Sequence, residues 1–86
     1  MAMPVKNLSY VGYSTLLEGF QQSFVDECSA TLAGVVSWGD AEFTIISAMT
    51  IHNACFPSGP KNDDEALLHA RLTHLIEQGI HVDMES

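Results

Sequence analysis

Basic residues are scarce in this sequence. Lys and Arg together number 3 among 86 residues, against 11 Asp and Glu, for a formal charge of −8. Nucleic-acid binders displace counterions with Lys and Arg, so this balance excludes direct binding to DNA or RNA. The same field repels anionic membrane surfaces. Cysteine is also sparse. Cys28 and Cys55 are too few for the disulfide framework of a small secreted domain. No stretch is apolar for the ~18 residues that a membrane-spanning helix needs. The opening, Met1-Ala2-Met3-Pro4-Val5-Lys6, lacks the apolar run of a signal peptide, so the expected compartment is the cytoplasm. Aromatics make up 8% and are not interleaved with bases, which leaves single-strand stacking unsupported. A Gly-rich phosphate loop, a Cys-x-x-Cys pair and a His-Glu-x-x-His run are all missing.

What the chain has is apolar content, at 47%, enough for one folded domain. Residues 1–13 carry Pro4 and Gly12 and lack helical periodicity, so they are expected to form an extended arm, as an edge strand or a partner-binding tail. Residues 14–86 are expected to form a single helical domain. Its first helix should run from about 15 to about 36, capped by Ser14. Leu17, Phe20, Phe24, Cys28, Leu32 and Val35 recur at three- and four-residue steps on one face. Gly19 and Gly34 weaken that helix, and either can mark a bend.

The segment around Gly39-Asp40 supports two readings. Val35 to Trp38 and Phe43 to Ile46 have strand propensity, and Gly-Asp suits a tight hairpin turn. In the other reading Asp40 caps a second helix, with Glu42 in its first turn. Ile45, Ala48, Met49, His52 and Phe56 keep helical spacing beyond it, which favours the helix. Phe56-Pro57-Ser58-Gly59-Pro60 then stops the chain and turns it. The third helix is fully specified. Asn62 and Glu65 form a capping box, Asp63, Asp64 and Glu65 suit the helix dipole, Leu68, Leu72, Leu75 and Ile76 form its buried face, and Gly79-Ile80 closes it. The tail from His81 to Ser86 is expected to fray. The fold expected is all-α, a three-helix bundle with an extended N-terminal arm. The alternative is α+β with a hairpin at Gly39-Asp40.

Candidate chemistry is thin. His52 and Cys55 are three apart and can share a helix face toward a metal, but no full ligand set accompanies them. Both cysteines are expected to serve as small buried hydrophobes, and His52 to find a backbone or solvent partner. Asp63-Asp64-Glu65 is explained as a helix start, and Glu65 and His69, four apart, as a surface pair. No catalytic residue, metal or cofactor is assigned, and the protein is not expected to be an enzyme.

Charge points instead to a protein partner. Residues 1–39 carry a net −2 and residues 40–86 a net −6. Such a field draws in a basic surface. The expected function is a non-enzymatic interaction module, an acidic inhibitor or adaptor of the phage or mobile-element type that docks on a basic nucleic-acid-binding groove. Its expected contacts are Asp40, Glu42, Asp63, Asp64, Glu65 and Trp38, with Glu18, Asp26 and Glu27 as a competing patch. The alternative is a structural homodimer or assembly subunit whose acidity serves solubility, suggested by the apolar surface of residues 43–55. A small metal- or ligand-binding helical protein comes third.

Overall fold

The computed structural model of the protein describes residues 9–35 and 45–84. Within them the order is β1 (Tyr10–Gly12), α1 (Tyr13–Leu16), α2 (Gln22–Leu32), β2 (Ile45–Ser47), α3 (Ala48–Cys55), α4 (Asp63–Gln78) and β3 (His81–Asp83). The fold is therefore mixed α+β rather than all-α. The turn at Gly39-Asp40, on which the hairpin alternative rested, lies outside the described residues.

Three short strands form: β1 lies in the segment expected to be extended, as an edge strand, while β2 and β3 occupy residues expected to belong to the second helix and to the frayed tail. Their order is β1-β3-β2. β1 pairs with β3 in parallel and β2 pairs with it antiparallel. Val82 sits opposite both Val11 and Ile46, so one apolar row crosses the sheet on the face turned to the core. Val82 is 0% exposed. A strand of three residues has little stability of its own; burial of this row is what holds the tail in place. Ser9 extends the pairing, its carbonyl accepting from the His81 N–H at 2.8 Å.

The single first helix expected for residues 15–36 is two helices. Gly19 has φ +93°, a left-handed conformation that a helix cannot contain and that L side chains rarely adopt. The chain leaves α1 at Leu17 and re-enters helix at Gln22. Ser14 does not cap; it lies within α1, whose N-cap position is Gly12. The break lets Leu16 and Leu17 both turn inward, while Val35 at the other end of the expected stripe is 56% exposed. Arg71 stabilises the turn. Its Nη1 donates to the carbonyls of Leu16 and Glu18 at 2.8 and 2.9 Å, and its guanidinium lies 4.8 Å from the centre of the Phe20 ring.

α3 begins later than expected because Ile45 and Ile46 are in β2. Ser47 is its N-cap, accepting the Met49 N–H at 3.1 Å. α4 follows its sequence signals. The Asn62 side chain accepts the Glu65 N–H, and the Glu65 carboxylate accepts the Lys61 N–H, each at 2.9 Å. At the far end Gly79 takes φ +71°, with Gly79 and Ile80 N–H groups donating to Ile76 and Leu75 carbonyls. Leu32, Ile51, Leu68, Leu72 and Val82 are the fully buried side chains around which the helices and sheet meet.

Candidate functional site

α2, α3 and the start of α4 enclose a groove of about 340 Å³, lined by Phe24, Glu27, Cys28, Ala30, Thr31, Cys55, Phe56 and Glu65. Each helix supplies a defined part. Phe24, Glu27, Cys28 and Thr31 are three or four residues apart on α2, so one face of that helix lines the groove. Cys55 and Phe56 come from the end of α3, which Pro57 terminates. Glu65 comes from the first turn of α4 and is held there by its bond to the Lys61 N–H.

Of the six expected contact residues, Trp38, Asp40 and Glu42 lie outside the described residues. Asp63 and Asp64 are exposed at the α4 start, and Glu65 alone of the three described lines the groove. It meets Glu27, which the sequence had placed in a separate patch on the first helix. No linear spacing joins residues 27 and 65; the packing of α2 beside α3 and α4 does.

The two cysteines converge on the same groove. Cys28 is buried, Cys55 is partly exposed, and both are free thiols. The hydrogen-bonding influence of each thiol on the other is the largest on both. It pushes the Cys28 pKa up, reinforced by burial and then by the charges of Cys55, Glu27 and Glu65. It moves Cys55 down from its ordinary 9.0, outweighing the opposing effects of burial and Glu65. Cys55 is thus the first of the pair to lose its proton. Above them Tyr13 donates to or accepts from the Ser29 hydroxyl at 3.2 Å. Burial lifts its pKa above 10.0, the Ser29 bond opposes that rise, and the charges of Cys28 and Cys55 add to it.

His52, expected to find a backbone or solvent partner, pairs with another side chain instead. Nε2 of His52 lies 3.0 Å from Nε2 of His69, joining α3 to α4, while Cys55 lines the groove with Cys28. One ring nitrogen donates and the other accepts, so at least one ring is neutral in this arrangement. Phe56 packs edge-on against both imidazoles. His52 therefore has a side-chain partner rather than backbone or solvent, and His69 meets His52 rather than Glu65. Among the described residues no three His, Cys, Asp or Glu side chains are grouped to hold a metal ion.

A second groove, of about 390 Å³, lies between α1, β1 and α4, lined by Val11, Thr15, Leu16, Ala70, Arg71, His74 and Leu75. Sequence reasoning found neither groove, because each joins segments more than twenty residues apart. No family model, curated protein or solved structure matches this chain. No helix among the described residues is long and apolar enough to cross a membrane.

Proposed function

We propose that the protein is a non-enzymatic interaction module, acting in the cytoplasm, that docks on a basic surface of another protein. The supporting observation is that Glu27 and Glu65 line one groove with Phe24 and Phe56. A Lys or Arg side chain matches that lining. Its aliphatic stem covers apolar surface and its head meets carboxylates, with the phenyl faces adding cation–π attraction. Asp63 and Asp64 lie beside the groove on the same helix turn, and the −8 charge of the whole chain steers a basic partner toward it. Surfaces rich in Lys and Arg commonly bind nucleic acid, so the reading extends to an acidic inhibitor or adaptor that occupies such a surface.

The test is retention of partners on the tagged protein at low and high salt. The expected result is a basic protein held by the wild type, released by salt or by competing nucleic acid, and not held by the triple charge reversal E27K, D63K, D64K. A partner indifferent to salt and to these reversals would sink the reading.

A homodimer is the second reading, and a different observation favours it. Met49 on α3 and Leu67 on α4 are 50% and 47% exposed. Ile51 is 1% exposed within the single chain, so its apolar bulk needs no partner. Light scattering decides this reading. A dimer that M49K with L67K converts to a folded monomer supports it, and a wild-type monomer at micromolar concentration removes it.

A further inference from the structure

Cys28 and Cys55 are separated by 27 positions, yet the packing of α2 and α3 brings both to line one open groove. We propose that they are a thiol–disulfide exchange site, which low-molecular-weight disulfides of the glutathione type convert reversibly to an intramolecular bond clamping α2 to α3. The inference is independent of the docking reading, since the thiols meet whatever the groove holds.

Three features of the geometry carry it. Both thiols already line one groove in the folded chain, so no segment has to unfold for them to meet. The groove admits solvent, so an oxidant of small size reaches the pair. And the two thiols are unequal. Cys55 is the more exposed and the readier to ionise, whereas Cys28 holds its proton, first through the influence of Cys55 and then through burial. This is the asymmetry of an attacking and a resolving cysteine.

The reaction balances without any further component. The Cys55 thiolate attacks one sulfur of the small disulfide, whose S–S bond breaks and releases one thiolate, which takes up a proton. Cys55 is then held in a mixed disulfide. Cys28 gives up its proton and attacks the Cys55 sulfur, and the second small thiol leaves. The two protein thiols are oxidised by two electrons, and the small disulfide is reduced to two thiols. Excess reduced small thiol drives the same steps backward.

The folded protein, equilibrated with oxidised glutathione, acid-quenched, alkylated and mapped by mass spectrometry, tests this. The expected product is a monomer short of two hydrogens with Cys28 linked to Cys55, forming at a rate independent of protein concentration and reverting in reduced glutathione. In denaturant the bond should form about tenfold more slowly, because the thiols must then meet by chance loop closure. The oxidised chain should melt higher by about 10 °C. C28S should stop at a mixed disulfide on Cys55. The inference is overturned if the folded wild type yields two separate mixed disulfides, links only between chains, or links no faster folded than unfolded. The wild-type measurement decides the matter even where a serine variant fails to fold.

Discussion

α4 and the three-stranded sheet are held in place by different means. α4 is written locally. Its cap, its acidic first turn, its apolar stripe and its left-handed closing glycine all lie within residues 61–80 and agree with one another. The sheet has no such support. Each strand has three residues, and β3 follows directly on a segment that ends α4. What makes His81–Asp83 a strand is Val82 lying between Val11 and Ile46, residues 71 and 36 positions away. The contrast teaches that agreement among local signals identifies a helix, while a short central strand is identified only by its neighbours.

Disrupting the sheet should therefore cost far more than disrupting any one local signal of α4. The largest effect is expected for Val82→Asp, which places an unpaired carboxylate at a position with no exposure. It should destabilise the fold by about 3–5 kcal/mol or prevent folding, measured by urea denaturation followed by circular dichroism. If the tail were frayed, this variant would be silent. Next come the α4 caps. Asn62→Ala removes the acceptor of the Glu65 N–H and should cost about 1 kcal/mol. Gly79→Ala meets no atom within 4 Å, so its cost of about 1 kcal/mol would come from the left-handed backbone alone. Cap losses equal to the Val82 loss would erase the distinction between the two regions.

Smaller still is the dipole contribution. Asp63→Lys and Asp64→Lys should each cost roughly 0.3–1 kcal/mol, with the loss shrinking as salt rises. The last effect is on pH dependence and concerns Tyr13, which follows β1 directly and opens α1. Its pKa is raised in the folded chain, so the fold favours the neutral phenol. The stability tied to it is complete below pH 10.0 and falls as pH climbs through the raised folded value. Tyr13→Phe should flatten that alkaline decline in thermal melts. An unchanged decline would assign it to another group.

Much of α4 was legible from its residues, down to both caps, because every contact that defines its ends is within six positions. Residues 14–36 were legible in part. Leu17, Cys28 and Leu32 face the core as their spacing implied, but the break at Gly19 was readable only as one of two possible bends. A glycine in a periodic run signals permission to leave the helix, not the decision; the decision comes from Arg71, more than fifty residues on, capping the freed carbonyls. Ile45 and Ile46 misled because the same two residues satisfy helical spacing with Ala48 and Met49. Strand pairing with β3 won over that pattern. At the candidate site Glu65 was anticipated, whereas Glu27 and the joining of Cys28 to Cys55 were not. Each cysteine, read alone on an apolar face, is a small hydrophobe, and only the packing of α2 on α3 turns two such residues into a pair.

The placement of β3 between β1 and β2 also orders events during synthesis. A ribosome makes Tyr10–Gly12 and Ile45–Ser47 before the strand that joins them exists. At ~5–20 residues per second the first strand waits on the order of 4–14 s for its partner. Through that interval Val11 and Ile46 have no Val82 to pack against, and both strands offer unpaired backbone to other chains. The nascent protein is thus most prone to misassociation in the interval before β3 is made. Crowding of polysomes, or loss of a chaperone that covers the two waiting strands, should reduce its yield more than any equal delay in making α2, whose hydrogen bonds close locally as it emerges.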